Sequence, residues 1–176
     1  MAWGVPRWHC TPPESAILGE RDNALRSPVY AQRMYDLLDY LRWHTFVPTK
    51  LNEMVILVVG RQWRSQVEWF AHAPLAKKAG LADSIIADLK AIRRPVGMGS
   101  DEEVVYDFVT DLTTKHAVSD ELFDRAKKLL GEQQVVDLTA VAGSYVAVAD
   151  PGDGRRGCPR RQRAAFQGGR TLSDSR

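Results

Sequence analysis

Three side chains that can exchange protons lie close together in the stretch 51–81 of this sequence. Glu53 directly precedes a continuous apolar run at 54–59, so we expect its carboxylate to be buried. Glu68 and His72 are four residues apart on the next predicted helix, which places them on the same side of it. Two carboxylates and an imidazole in different surroundings form a plausible acid/base set at neutral pH. We therefore predict Glu53, His72 and Glu68 as catalytic residues.

The residues next to this set suggest how a substrate would be held. Arg61 and Arg64 follow the apolar run, and a guanidinium binds a carboxylate through two parallel hydrogen bonds. Trp63 and Trp69 are expected to form a pocket wall or a subunit contact. Ser65 lies on the same side of the helix as Glu68 and His72. We predict these five as substrate-binding residues, and we expect neither a metal site nor an organic cofactor.

Each of the three catalytic candidates also has a structural interpretation. Glu68 is the fourth residue of Ser-x-x-Glu, a pattern typical of a capping box that begins at Ser65. Glu53 is equally explained as a buried structural acid that pairs with an arginine. On periodicity alone, His72 is a core histidine more often than a functional one. The residue types leave these alternatives open.

Apolar residues recur at helical spacing through most of the chain. Ser27-Pro28 predicts the start of a first helix that ends near His44, and Ser100 to Glu103 predicts a capping box at the start of a later one. Another helix is predicted after Ser119, with Phe123 and Leu129 among its inward residues. No segment alternates with period two for long enough to be a strand. The sequence therefore predicts an all-α domain of about seven helices at 27–149, preceded by an irregular arm at 1–26.

Length and composition limit the class of protein. A chain of 176 residues with 44% hydrophobic residues suits one globular domain. It contains no apolar stretch long enough for a membrane span and no signal peptide, so we expect a cytoplasmic protein. Cys10 and Cys158 both lie outside the predicted helices, and they offer no dithiol site in the core.

The segment 150–176 differs in composition from the rest of the chain. It is rich in arginine and glycine, with seven arginines and two aspartates from residue 151 onward. We expect it to be a disordered tail. Non-specific nucleic-acid binding is less favoured, because aromatic residues are not interleaved with the basic ones. A shift of reading frame in GC-rich DNA is a third interpretation of the same composition.

Three stretches of the chain resemble one known superfamily. They are LNEMVILVVGRQWRSQVEWFAH-x-PLA-x-KAGL, DEEVVYDFVTDL and VSDELFDRAKKLLGEQQVVDL, within a resemblance that covers about 25–148. They are similar to the carboxymuconolactone decarboxylase and alkylhydroperoxidase D superfamily. The resemblance implies an AhpD-like helical bundle that assembles into homo-trimers or homo-hexamers.

The resemblance also implies a site. In the peroxidase branch, a glutamate is followed by a C-x-x-C pair at a helix start and by a histidine four residues later. These positions fall on Glu53, Ser65, Glu68 and His72 of this chain, and the resemblance implies that Glu53 and His72 lie on adjacent helices. Serine and glutamate cannot form the redox disulfide, so dithiol peroxidase chemistry at this site is disfavoured.

The decarboxylase-like branch of the superfamily also lacks the cysteine pair, so the resemblance is to this branch. There the resemblance implies a carboxy-lyase that performs acid/base decarboxylation or isomerisation on a small carboxylated ring or lactone, without a cofactor. The alternative is a non-catalytic or impaired oligomeric member of the superfamily. Neither alternative needs a membrane or a nucleic acid as a partner.

Overall fold

The fold is built entirely from α-helices in the part of the chain that the computed structural model describes, residues 27–149. The predicted all-α class and the predicted number of helices are both confirmed for this part. The predicted arm at 1–26 and the predicted tail at 150–176 lie outside the described residues. The seven helices are α1 Pro28–Trp43, α2 Thr49–Gln62, α3 Gln66–Lys78, α4 Asp83–Lys90, α5 Ser100–Thr114, α6 Asp120–Leu130 and α7 Glu132–Val148.

Helix α2 lies at the centre of the bundle. Every residue from 51 to 60 is buried, as expected for a helix that is apolar on all sides. It packs mainly against α3, α5 and α7. Asn52 joins it to α1, because its Nδ2 donates a hydrogen bond of 2.7 Å to the carbonyl oxygen of Leu41. A side chain on α2 therefore meets groups from several helices at once.

A tight turn connects α2 to α3. Arg64 adopts a left-handed conformation with φ of 57°, and the Ser65 N–H donates to the carbonyl of Gly60 at 2.8 Å. Ser65 Oγ accepts a bond from the Glu68 N–H at 3.3 Å. The predicted capping box is thus only half formed: the Ser65 N–H is already bonded, and the Glu68 carboxylate faces His72 instead.

The N-cap residue of helix α5 lies one position earlier in the chain than the sequence pattern predicted. The residue before the helix is Gly99 rather than Ser100, and its N–H donates to the Glu102 carboxylate at 2.8 Å. Lys50, at the start of α2, forms an ion pair of 2.9 Å with the same carboxylate. The beginnings of α2 and α5 are joined by this contact.

Helices α1 and α6 bury only part of their apolar residues. Leu41 is the buried residue of α1, and on α6 the predicted inward residues Phe123 and Leu129 are exposed. Several large apolar side chains of α1 and of the residues just after it remain exposed: Val29, Tyr30, Tyr35, Leu37, Tyr40, Trp43 and Phe46. Among the helices of residues 27–149, none has the length and apolar composition that a membrane span requires.

Gly60 marks the closest approach of α2 to α3. A Cβ at this position would lie 3.0 Å from the Cβ of Glu68, which the backbone of α3 holds in place. We predict that Gly60→Ala destabilises the protein by about 1–3 kcal/mol, the usual cost of overpacking. Gly143→Ala is the matched control, because a Cβ there meets nothing within 4 Å, and it should stabilise α7 by up to about 1 kcal/mol. Urea unfolding measures both changes. Equal stabilisation by the two substitutions would show that the α2–α3 contact is looser than described.

Candidate active site

Five polar side chains from four helices meet beside α2. They are Arg42 on α1, Glu53 on α2, Glu68 and His72 on α3, and Tyr145 on α7, and together we call them the polar cluster. Four are buried within the described chain, and the Arg42 side chain is only 12% exposed. Because water is largely excluded, each ionised group needs a partner inside the cluster.

Glu53 uses both of its carboxylate oxygens. Oε1 accepts a hydrogen bond of 2.7 Å from Arg42 Nη2, and Oε2 lies 2.8 Å from His72 Nδ1. The charge-assisted contacts compensate for taking the carboxylate out of water. Glu53 thereby fixes an arginine from α1 and a histidine from α3 in one orientation.

His72 has a carboxylate at each of its ring nitrogens. Nδ1 faces Glu53, and Nε2 lies 3.3 Å from Glu68 Oε2. A carboxylate oxygen only accepts, so both contacts are satisfied when the ring is an imidazolium that donates from both nitrogens. Burial lowers the pKa of His72, but the hydrogen bonds to Glu53 and Glu68 outweigh it, so the pKa is raised above 6.5. The imidazolium and Arg42 then balance the two glutamates in charge.

The Arg42 guanidinium lies against the imidazole ring. Its Nη1 is 2.9 Å from Nδ1 and 3.3 Å from Nε2 of His72. One atom this close to both nitrogens cannot lie along the lone pair of either, so we interpret the contact as stacking over the ring. The positive charge of Arg42 opposes the rise in the His72 pKa, and it is a smaller influence than the hydrogen bonds that the ring donates to the glutamates.

Tyr145 closes the cluster from α7. Its Oη accepts a hydrogen bond of 3.1 Å from Arg42 Nη1. Its ring meets that of His72 edge to face, with centroids 5.4 Å apart and an interplanar angle of 89°. Burial raises the pKa of Tyr145 to about 12. The group therefore remains a neutral phenol that can donate its proton in a hydrogen bond.

The predicted catalytic residues are brought together, whereas none of the predicted substrate-binding residues belongs to the cluster. Glu53, Glu68 and His72 are in direct contact. Ser65 caps α3 through Glu68, and Trp69 packs in the hydrophobic core. The roles assigned to these residues stay predictions.

The other three predicted residues lie around the turn between α2 and α3. Arg61 is in the last turn of α2, and its Nε donates a bond of 2.7 Å to the carbonyl oxygen of Lys90, at the end of α4. Trp63 and Arg64 are both exposed. The cation that contacts Glu53 and His72 is Arg42 instead.

Arg42 and Tyr145 were not predicted from the sequence. The one available signal was the burial of Glu53, which requires a cation nearby, but nothing in the sequence indicates that the cation comes from the preceding helix. Tyr145 is more than a hundred residues from Arg42 in the chain and is brought close only by the docking of α7. No cluster of histidine, cysteine, aspartate and glutamate in the described part of the chain could hold a metal ion.

Comparison with known proteins shows the fold. No protein-family model matches the chain, and no curated protein matches it in sequence. A crystal structure from Agrobacterium tumefaciens is similar with a TM-score of 0.64 and 16% sequence identity, over 76% of this chain and 92% of the other. That protein is of unknown function and is described as a candidate antioxidant defence protein AhpD. The helical bundle described above is therefore an AhpD-like fold.

Proposed function

We propose that this protein is a cofactor-free enzyme that carries out acid/base chemistry on a small carboxylated ring or lactone, by decarboxylation or isomerisation. The observation that supports the proposal is His72, buried with a carboxylate at each ring nitrogen. An imidazolium held in this way is a positioned proton donor, and its neutral form is a positioned acceptor. We further propose a cytoplasmic location.

The chemistry can be written from the residues of the chain. In a substrate whose carboxylate lies beside a carbonyl-activated carbon, the bond to the carboxylate breaks and CO2 leaves. The electron pair of that bond moves into the carbonyl group to give an enolate. The Nε2–H of the His72 imidazolium leaves its 3.3 Å contact with Glu68 and gives its proton to the carbon, and the ring becomes neutral. A proton from water restores the imidazolium, which Glu53 and Glu68 favour.

Isomerisation uses the same groups in a different order. Neutral imidazole removes a proton from the carbon beside the carbonyl, and the imidazolium returns it to another carbon of the same enolate. Glu53 is a positioning residue in both reactions, because it holds the ring through Nδ1 at 2.8 Å. The fixed ring orientation supplies part of the rate acceleration.

Peroxide reduction by thiols is not favoured by this chain. The structural neighbour is described as a candidate antioxidant protein, and the resemblance to the peroxidase branch implies that thiol chemistry needs two cysteines at the positions of the C-x-x-C pair. Ser65 and Glu68 occupy these positions, and the sequence holds no cysteine between Thr11 and Gly157. A thiolate, which is the nucleophile of such reactions, cannot form there.

The competing proposal is a non-catalytic oligomer. The observation in its favour is the exposed apolar surface of α1, where Tyr35 and Trp43 are 57% and 62% exposed. Large exposed apolar patches are typical of protein interfaces. Self-association is compatible with either proposal, and we propose a homo-oligomer, a trimer or a hexamer, in both cases.

Replacement of the proton-transfer pair tests the enzymatic proposal. The protein is incubated in D2O with a panel of carboxylated lactones and cyclic keto acids, and 1H NMR follows loss of CO2 and deuterium uptake at carbon. We expect turnover of at least one compound, with kcat lowered about 10²–10⁴-fold by His72→Ala or Glu53→Gln, the range for a positioned acid or base. The losses should not multiply in the double variant, because the two residues act as a unit.

His44→Ala is the matched control, because its ring is 61% exposed at the end of α1. It should retain wild-type turnover. Wild-type turnover in folded His72→Ala would remove His72 from the mechanism. Absence of turnover for the entire panel would favour the non-catalytic alternative.

Light scattering tests the assembly. We expect a mass several times the 19.7 kDa of one chain, and we expect Tyr35→Glu on the exposed face of α1 to lower it, because a buried unpaired carboxylate opposes association. Lys128→Glu on exposed α6 is the control and should leave the mass unchanged. A wild-type protein that remains at 19.7 kDa across micromolar concentrations would contradict self-association.

A further inference from the structure

Arg42 has hydrogen-bond donors that the rest of the cluster does not use. A guanidinium carries N–H groups on Nε, Nη1 and Nη2. Nη2 donates to Glu53 and Nη1 to Tyr145. Among residues 27–149, no acceptor is bonded to Nε. Arg42 is also the least buried member of the cluster, with its side chain 12% exposed.

Tyr145 also holds a proton without an acceptor. Its oxygen accepts the bond from Arg42, but within the described chain its O–H donates to no residue. The group is 5% exposed, and buried hydroxyl groups normally find a partner. A hydroxyl whose oxygen accepts a bond from a cation is a stronger donor, because hydrogen bonds in a chain polarise one another. The unused O–H and the guanidinium are thus adjacent donors.

An aromatic ring lies beside these donors. The Arg42 guanidinium carbon is 5.0 Å from the centroid of the Trp43 ring, and Trp43 is 62% exposed. A flat apolar body can pack on an exposed indole while its polar end reaches the guanidinium. A carboxylate can accept a hydrogen bond from the Tyr145 O–H and another from the neighbouring guanidinium at the same time.

We propose that Arg42 and Tyr145 form a binding subsite for the carboxylate of a ring-shaped organic acid, with Trp43 as the wall for the ring. The inference rests on the proposed function, because it assigns the recognition of the acid to residues beside the proton-transfer pair. Carboxylate binding, which the sequence predicted for Arg61 and Arg64, is assigned here to Arg42. Arg42 is already in contact with Glu53 and His72. Arg42 and Tyr145 are binding residues in this assignment, and His72 remains the proton donor.

Benzoate is a suitable probe, because it has the carboxylate and the ring but no reactive position. Isothermal titration calorimetry of the full chain measures its affinity, and methyl benzoate serves as the neutral analogue. We expect benzoate to bind, methyl benzoate to bind at least tenfold more weakly, and Tyr145→Phe to weaken benzoate about tenfold or more, as expected for a hydrogen bond to a charged group. Tyr106→Phe on α5 is the matched control and should bind as the wild type does.

Arg42→Lys keeps the positive charge but removes the planar fork, so it should also weaken benzoate. Tyr145→Phe preserves ring packing, and its result decides the inference if Arg42→Lys fails to fold. The inference is overturned if the wild type does not bind benzoate, if methyl benzoate binds equally well, or if folded Tyr145→Phe binds benzoate as the wild type does.

The two proposals fail in different ways. Benzoate binding that depends on Tyr145, together with no turnover of any panel compound, would leave the subsite intact and remove the enzymatic proposal. Turnover that depends on His72, together with a benzoate affinity that is unchanged by substitution of Tyr145 or Arg42, would support the enzymatic proposal and overturn the proposed subsite.

Discussion

Burial of the Glu53 carboxylate is the constraint on which the rest of the structure depends. The side chain is 2% exposed, directly before a run at 54–59 that is apolar and buried. An isolated buried carboxylate costs several kcal/mol, so α2 can occupy the centre of the bundle only if other helices bring charge and hydrogen-bond donors to it. Helix α1 brings Arg42 and α3 brings His72. The packing of α1 and α3 against α2 therefore supplies the groups that compensate the buried charge of Glu53.

Stability alone does not account for the composition of the polar cluster, and this supports the proposed acid/base role. Buried ion pairs contribute little net stability, because apolar residues of similar volume serve as well or better. The cluster nevertheless combines an arginine, a histidine, two glutamates and a tyrosine, and it carries no net charge when His72 is protonated. This arrangement raises the His72 pKa, so its contribution to stability is complete below pH 6.5 and is lost as the pH rises through the raised value. A stabilising group that titrates in this way is also able to exchange protons.

Local patterns predicted the helices well, whereas contacts between distant residues could not be predicted. Helix α7 follows from its apolar spacing, and Ser119 caps α6 through its Oγ as expected. The N-cap of α5 is Gly99 rather than the predicted Ser100, because the Glu102 carboxylate accepts a hydrogen bond from the Gly99 N–H. The two possible caps differ by one residue, and the sequence pattern does not distinguish them. Phe123 was expected inside because periodicity indicates which residues share a face, but not how much of the face a neighbour covers.

The candidate site shows the same division. Glu68 and His72 share a helix, so their proximity follows from spacing, and Glu53 joined them in the prediction through the resemblance to known sequences. Arg42 and Tyr145 are brought to the cluster by the packing of α1 and α7, which no local pattern indicates.

The most direct test of the charge-compensated polar cluster is a 15N NMR titration of the His72 ring. Our account predicts a His72 pKa above 6.5 and a lower pKa in Glu53→Gln. A His72 ring that titrates at or below 6.5, with no response to Glu53→Gln, would contradict it.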